Sequence, residues 1–298
     1  MTTIVTHSAR FHTDDVYAVA TLELILTKRG EGLPRVVRTR QQEKIDAADI
    51  VVDVGGVYDP EKKRFDHHQG GLEPRTNSIP YASFGLVWRE YGEELAGSSA
   101  VAEAIEHKLV LSIDANDNGV DLSASVLEGI EVYTLDDLIG SFVPAYTESE
   151  LDIDKQFRYV CDIAKAHLLR VIAHKRAVEV AREAVEEAYQ KAADKRIIEL
   201  DYPVPWKEVI AQYSEPLYMV YPIEADGKEQ WYVRTVPVEK NSFDNRKDLP
   251  ASWGGLEGEP FRQETGLDDA IFCHKGLFLA GAYSHESALI LAQRAVEA

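Results

Sequence analysis

Short apolar runs alternate with helical patterns along the first part of this chain. β-type runs cover residues 3–6, 34–38 and 50–54, apolar residues recur at helical spacing over 15–28, and 41–47 is expected to form a short helix. Because consecutive parallel strands need a crossover that is usually a helix, this alternation is typical of parallel sheets. It predicts an α/β fold in which a doubly wound, mainly parallel sheet forms the first domain.

The character of the chain changes after a long helical stretch. Residues 152–195 contain no proline and carry apolar residues at helical spacing, whereas strand-like runs dominate from 197 onward. Asp226-Gly227, between two of these runs, is a strong signal for a hairpin turn. We therefore predict a first domain over 1–195, ending in the helical stretch, and a smaller α+β domain over 196–298.

Length and composition are those of a globular protein. A chain of 298 residues with 45% hydrophobic and 28% charged residues can bury a sizeable core, and no apolar run reaches the ~18–20 residues that cross a bilayer. The first fifteen residues include charges and lack the apolar core of a signal peptide, which predicts a cytoplasmic protein without membrane contact. Cys161 and Cys273 have no metal spacing and are expected to be small buried hydrophobic residues.

Negative charge dominates the chain, with a formal net charge of −19 at pH 7. Such a charge repels a polyanion and argues against an extended electrostatic footprint on nucleic acid. The acid is unevenly placed, because residues 1–80 hold 11 basic and 12 acidic side chains. The N-terminal part is therefore close to neutral before any metal ion is added, and the overall charge favours short substrates over long duplexes.

Side chains that can bind metal ions gather at the ends of the predicted strands. They are His7, His12, Asp14 and Asp15 after the first strand, Asp53 at the end of the third, Asp66, His67 and His68 beyond it, and Asp114 and Asp117 after a later helix. The carboxyl ends of strands form the ligand crevice of open α/β sheets, so these groups are expected to converge on one cleft. Imidazole and carboxylate donors without thiolate suit Mn²⁺, Zn²⁺ or Mg²⁺.

Two of these assignments stay open on the sequence. Asp15 follows Thr13 and Asp14 at a helix start, where an acidic residue also complements the helix dipole. Asp114 and Asp117 lie three residues apart and cannot be ranked from one sequence. Asp117-Asn118-Gly119 also has the composition of a turn, which would leave Asp114 as the ligand.

The segments THSARFHTDD, DIVVDVGG, FDHH and IDANDNG resemble, in order and spacing, the metal motifs of the DHH (Asp-His-His) phosphoesterase superfamily. The chain is more similar still to the branch of Myg-type exonucleases, named after a melanocyte-proliferating gene. The similarity continues through Pro205-Trp206-Lys207 and through 242–246, 249–256 and 272–281, so it covers essentially the whole chain.

The resemblance implies two divalent metal ions, Mn²⁺ first, with Mg²⁺ or Zn²⁺ as alternatives. The implied ligands of one ion are His7, His12 and Asp53. Those of the other are Asp14, Asp53, His67 and either Asp114 or Asp117, so that Asp53 bridges the two. By the same resemblance, His68 contacts the phosphate or protonates a leaving oxygen, and Asp66 orients a neighbouring histidine.

Two departures from the superfamily pattern affect this expectation. The first motif reads His7-x₄-His12-x-Asp14 where many members have His-x₃-Asp-x-Asp, which makes the first metal position richer in nitrogen. Ala280-Gly281-Ala282 stands where the family tends to show paired glycines, which changes the contacts expected for a phosphate or the end of a substrate.

The second domain is expected to bind the substrate through cationic residues on loops. Those suited to a terminal phosphate are Arg246, Lys247, His274 and Lys275, and each also fits a solvated surface position. Trp206, Trp231 and Trp253 are aromatic rings that can stack on a base. Tryptophan in a small domain more often belongs to the core, so none of the three is assigned to stacking.

The implied function is metal-dependent hydrolysis of phosphodiester bonds in RNA or short oligonucleotides. A phosphoesterase that acts on a small molecule, such as a dinucleotide, is one alternative. A non-catalytic metal-binding protein is another, although the ligands outnumber the four of a closed structural site. The apolar positions of 152–195 also favour a homo-oligomer.

Overall fold

The structure is a computed structural model that describes residues 1–73, 75–225, 227–239 and 242–298. The chain forms two compact units, Met1–Arg176 and Ala177–Ala298, and the division between them falls inside a long helix. Each unit contains its own five-stranded mixed sheet, which confirms an α/β fold class. No helix in the described ranges is both long enough and apolar enough to cross a membrane.

Five short strands form the sheet of the first unit: β1 (Thr3–Thr6), β2 (Arg35–Arg38), β3 (Ile50–Val52), β4 (Tyr58–Asp59) and β5 (Arg64–Phe65). Their order is β2-β1-β3-β5-β4, and neighbouring strands are parallel except for β4 with β5. Because β1, β3 and β5 are adjacent and parallel, their carboxyl ends lie side by side at one edge of the sheet. The predicted strands at 3–6, 34–38 and 50–54 are confirmed, and the doubly wound arrangement stays a prediction.

Helices of the first unit follow the strands in sequence. They are α1 (Thr13–Lys28), α2 (Gln42–Asp46), α3 (Ser83–Ala96), α4 (Ser99–Ile105), α5 (Leu111–Asp117), α6 (Leu135–Gly140) and α7 (Ile153–Lys191), with a π-helical turn at Glu106–Val110 between α4 and α5. Helix α1 is buried on nearly every side, since Val16, Val19 and Leu22 all lie in the core with Phe84 of α3. This packing fixes the first turn of α1 against the start of α3.

The first part of α7 completes this core. Phe157, Val160 and Leu168 are fully buried there, and so is Cys161, whose thiol is free. The predicted long helix is therefore confirmed, and the cysteine is the small buried hydrophobic residue that was expected. The predicted domain boundary between 195 and 196 stays a prediction, because the compact units divide earlier, at Arg176.

The second unit has the strands β6 (Ile197–Glu199), β7 (Tyr218–Ala225), β8 (Lys228–Thr235), β9 (Ala270–Cys273) and β10 (Leu279–Ala282), in the order β6-β7-β8-β10-β9. Its helices are α8 (Lys207–Ile210), α9 (Glu259–Thr265) and α10 (His285–Glu297). Strands β6 and β7 are parallel and the other pairs are antiparallel. β7 and β8 form the predicted hairpin, although Asp226 in its turn lies outside the described residues. The seven-residue α9 contains one large apolar side chain, Phe261, so no apolar recurrence marks it in the sequence.

Candidate metal centre

The ends of β1 and β3 bring the first two candidate ligands together. His7 directly follows β1 and Asp53 directly follows β3, and the parallel register pairs Ile4 with Ile50 and Val5 with Val51. The two side chains are buried, and the Nε2 atom of His7 lies 3.3 Å from Oδ2 of Asp53.

The backbone of Asp53 is unusual for a residue at the end of a strand. Its φ of 54° lies in the left-handed region, which aspartate and asparagine tolerate better than most side chains do. Strained backbone of this kind is held by the surrounding structure and clusters at functional sites. Here it turns the carboxylate toward the histidines, and the hydroxyl of Ser83 donates to Asp53 Oδ1 over 3.3 Å.

The first turn of α1 supplies three further side chains. The N-cap residue is His12, whose backbone N–H donates to Asp15 Oδ1 over 2.8 Å, so Asp15 has the helix-start role that was one of its two interpretations. Its other oxygen, Oδ2, lies 3.3 Å from Nε2 of His7. The carboxylate of Asp14 accepts hydrogen bonds from the backbone N–H groups of Ser83 and Phe84 at the start of α3, over 3.1 and 2.6 Å.

The segment after β5 contributes two adjacent histidines with different surroundings. His67 is largely buried, and its Nε2 lies 3.4 Å from Asp53 Oδ1 and 3.2 Å from Asp117 Oδ2. The side chain of His68 is 62% exposed, and its Nδ1 lies 2.6 Å from Asp66 Oδ1. Asp66 is itself fixed, because its Oδ2 accepts a hydrogen bond from the N–H of Gly56 over 2.6 Å. Asp66 is therefore paired with the exposed His68, and the orienting role expected for this carboxylate stays a prediction.

Three overlapping sets of donor atoms lie close enough to hold ions: His7 with His12 and Asp53, Asp53 with His67 and His68, and Asp14 with His67 and Asp117. In the described part of the chain, the buried Nε2 atoms of His7 and His67 have no hydrogen-bond partner. Unpaired imidazole nitrogens that face carboxylate oxygens fit a divalent cation, and this donor set without sulfur suits Mn²⁺, Mg²⁺ or Zn²⁺. The cluster therefore fits divalent metal binding.

The electrostatics of the cluster also favour cations. Burial would lower the pKa of His7, but the carboxylates of Asp15 and Asp53 raise it to about 10. Burial likewise opposes the shift at His67, whose pKa Asp117 and Asp53 raise to about 11. The pKa of Asp14 is well above its usual range because of burial and then because of the nearby carboxylates of Asp53, Asp117 and Asp114. Without a metal ion, protonated histidines neutralise this buried negative charge.

The structure separates the two aspartates that the sequence could not rank. Asp117 lies in one of the donor sets, whereas Asp114 is fully buried beside Arg75, with 2.7 Å between Oδ2 and a guanidinium nitrogen. Burial raises the pKa of Asp114 to about 7, although Arg75 acts to lower it. Asp114 Oδ1 accepts the N–H of Gly85 over 3.0 Å. Asp114 therefore braces the start of α3 behind the cluster.

Sequence reasoning missed Arg75, Ser83 and Gly85 as parts of this site. Ser83 and Gly85 lie in a segment whose sequence shows a helical pattern and no ligand motif, and Arg75 lies in a loop without a motif. Gly85 has no room for a side chain, because a Cβ atom there would lie 1.8 Å from Asp114 Oδ2 and 2.4 Å from the Arg75 guanidinium. A glycine in the first turn of an otherwise good helix was the one available signal of close packing.

The four predicted substrate-binding residues lie in the second unit. The guanidinium of Arg246 donates to the carbonyl oxygens of Tyr213 and Pro216, and the ammonium of Lys247 donates to that of Val296. His274 Nδ1 accepts the N–H of Gly276, and Lys275 lies exposed beside it. Arg246 and Lys247 thus hold loops in place, and a role in substrate binding for all four stays a prediction.

Metal binding is expected to release protons from this cluster. Because the pKa values of His7 and His67 lie near 10 and 11 in the metal-free protein, both imidazoles are protonated at pH 8 and must lose a proton to bind a cation. Titration calorimetry with Mn²⁺ at pH 8, in buffers of different ionisation enthalpy, should show release of about two protons. An enthalpy that does not depend on the buffer would contradict the assignment.

The raised pKa values of His7 and His67 also determine how the stability of the metal-free fold and the affinity for metal change with pH. Stabilisation of the metal-free fold by the protonated histidines is complete below pH ~6.5 and is lost as the pH rises through about 10. The apparent affinity for metal should change in the opposite direction and rise with pH, because fewer protons then have to leave.

The control for the proton-release measurement is the variant Asp46→Asn, which changes an exposed carboxylate hydrogen-bonded to Gln42. This variant should release the same number of protons as the unaltered chain.

Comparisons with known proteins place the chain in a family. A model with the description MYG1_exonuc, Uncharacterised protein family (UPF0160), matches residues 3–296. The chain is 33% identical to the MYG1 exonuclease of Rattus norvegicus, over 97% of this chain and 83% of the relative. It is 32% identical to the MYG1 protein of Chlamydia trachomatis serovar D, over 95% of this chain and 92% of that relative. The pGpG-specific phosphodiesterase PggH of Vibrio cholerae matches 99% of this chain and 98% of its own, with 14% identity and a TM-score of 0.30.

Proposed function

Because this chain belongs to the MYG1_exonuc family, we propose that it is a metal-dependent hydrolase of phosphodiester bonds in RNA or short oligonucleotides. Its rat, human and bovine relatives are named MYG1 exonuclease, which supports this reaction. The donor sets around Asp53 support the dependence on a divalent metal. The location in the cytoplasm and the homo-oligomer remain part of the proposal.

The position of Asp53 between two histidines is the observation that carries the proposal. Its Oδ2 faces Nε2 of His7 and its Oδ1 faces Nε2 of His67, at 3.3 and 3.4 Å. A carboxylate with one oxygen on each side belongs to two ligand sets at once. This supports a dinuclear centre bridged by Asp53, with His7 and His12 on one side and Asp14, His67 and Asp117 on the other.

Two divalent ions bound there would act as Lewis acids on a phosphoryl group and would lower the pKa of water. The protein's own residues do the remaining work. Asp66 binds Nδ1 of His68 and so leaves Nε2 of this exposed imidazole free to contact a phosphate oxygen or to protonate the leaving oxygen. Asp114, Arg75 and Gly85 position the start of α3, whose backbone N–H groups hold the carboxylate of Asp14.

Chelation and reconstitution test this function directly. A labelled five-nucleotide RNA should be shortened by the protein with Mn²⁺, the shortening should stop when the metal is chelated, and added Mn²⁺ should restore it. The readout is the product ladder on a denaturing gel, with metal content measured on the same sample. A protein that carries two metal ions but never shortens the RNA would contradict the nuclease assignment.

The net charge of −19 favours a second candidate, a phosphoesterase for small substrates such as dinucleotides. The negative charge of the protein repels the many phosphates of a long polyanion more strongly than the few phosphates of a dinucleotide. Turnover of two-nucleotide and twenty-nucleotide RNA at equal concentration separates the candidates. One tightly held metal ion without hydrolysis of any phosphoester would instead favour a metal-binding protein.

A further inference from the structure

Two cations that the proposed function does not use lie side by side in the second unit. Lys207 is the first residue of α8, and Arg234 is the penultimate residue of β8. Both line a cavity of about 340 Å³ and also a neighbouring cavity of about 440 Å³. The two positive groups are therefore shared by the linings of both cavities.

On the side of the 340 Å³ cavity, the two positive charges face no carboxylate in the described part of its lining. Burial lowers the pKa of Lys207, and so does the positive charge of Arg234. Glu208 lines the 440 Å³ cavity with them, whereas the described residues that line the 340 Å³ cavity include no carboxylate. The unit as a whole is acidic, with 13 basic and 22 acidic residues over 177–298. The pair is therefore a local positive patch in an acidic unit, and two positive charges held together favour binding of an anion between them.

Arg234 is also held in place by its neighbours. Its guanidinium lies over the ring of Phe278, 5.5 Å from the ring centre, and interacts with the hydroxyl of Tyr221. A guanidinium held by stacking keeps its planar set of donors free for an anion. Arginine in such a position is well suited to the two oxygens of a phosphate.

The 340 Å³ cavity also has an aromatic wall and polar groups. Phe243 lines it, and the side chain of this residue is fully exposed. Thr235 and Asn245 line the same cavity and are hydrogen-bonded to each other, over 2.6 Å. An exposed ring beside paired cations is the arrangement that binds a base by stacking and its phosphate by charge.

We propose that this cavity binds a nucleotide, with Lys207 and Arg234 on its phosphate and Phe243 stacked on its base. The inference deepens the proposed function, on which it rests for the class of ligand. Nucleotide binding is nevertheless measured without hydrolysis, so the binding proposal and the proposed hydrolase function can each fail alone. Arg246 and Lys247, the cations that the sequence suggested for this task, already donate to carbonyl oxygens.

Calorimetric titration of the full chain with metal chelated tests the proposal. The probes are AMP, adenosine and inorganic phosphate, and AMP should bind more tightly than either of the others. Lys207→Met and Arg234→Met should each weaken AMP binding about tenfold, because each removes a charge-assisted hydrogen bond. Phe243→Ala should weaken AMP binding about fivefold and leave inorganic phosphate unchanged.

Lys191→Met is the matched control, because Lys191 is an exposed lysine of the same unit that pairs with Glu187. It should bind AMP as the unaltered chain does. Arg234→Lys keeps the charge and should recover part of the lost affinity, which separates a local effect from misfolding. The proposal is overturned if AMP does not bind at millimolar concentration, if adenosine binds as tightly as AMP, or if AMP affinity survives both methionine substitutions.

Discussion

Replacing Asp53 with asparagine is expected to lower metal-dependent hydrolysis at least about a hundredfold and to reduce the bound metal. Even the partners of metal ligands cost 10–100-fold when they are changed, and Asp53 belongs to two donor sets itself. Asparagine keeps the shape of the side chain and tolerates the φ of 54° at this position, so the backbone should persist. Product release from a labelled five-nucleotide RNA and metal content by mass spectrometry are the measurements.

Asp46→Asn serves as the control for this substitution. Asp46 is an exposed carboxylate at the end of α2 in the same unit, hydrogen-bonded to Gln42, and its loss should change neither metal content nor rate. Far-UV circular dichroism should be the same for both variants. Hydrolysis at the unaltered rate by Asp53→Asn with full metal content would remove Asp53 from the proposed bridge.

Gly85→Ala is expected to destabilise the fold by about 3 kcal/mol, the upper part of the range for overpacking. The added methyl group would lie 1.8 Å from Asp114 Oδ2 and 2.4 Å from the Arg75 guanidinium, so the ion pair must separate. Both groups are buried, and a buried charge without its partner is costly. The free energy of unfolding in urea measures the effect, and the bound metal should also decrease because the start of α3 holds Asp14.

A second glycine in a helix provides the matched comparison. A Cβ atom on Gly140 in α6 would meet only the Arg10 guanidinium, at an ordinary contact distance of 3.7 Å. Gly140→Ala should therefore leave stability unchanged or raise it by up to about 1 kcal/mol, because alanine has the better helix propensity. Equal stability changes in the two variants would show that the surroundings of Gly85 yield easily and that its close packing has no role.

Much of the fold was predictable because local patterns determine it. The strand runs at 3–6 and 50–54 bracket an apolar pattern that becomes α1, and each ends next to a candidate ligand. The π-helical turn at Glu106–Val110 was not predictable, because the helical pattern over 99–113 runs through it without a break. The short helix α9 was not predictable for a different reason: Phe261 is its one large apolar side chain, so no apolar recurrence shows in the sequence.

The candidate site was predictable in its residue types and less so in its pairings. Clustered histidines and aspartates after strands are visible in the chain, and His7, Asp53 and His67 do meet. The choice between Asp114 and Asp117 depends on Arg75, which is distant in sequence and reaches Asp114 only in the folded protein. Tertiary ion pairs of this kind leave no periodic trace in a sequence.

The order of the strands has a consequence for biosynthesis. A chain leaves the ribosome from its N-terminus, so His7, Asp53 and His67 emerge before Asp117, which is the last residue of α5. Parallel pairing of β1 with β3 closes a long loop and is intrinsically slow, which delays the juxtaposition of the first two donors. The cluster of donors is thus a late product of assembly, and a ribosome-bound fragment that ends before residue 117 carries an incomplete set.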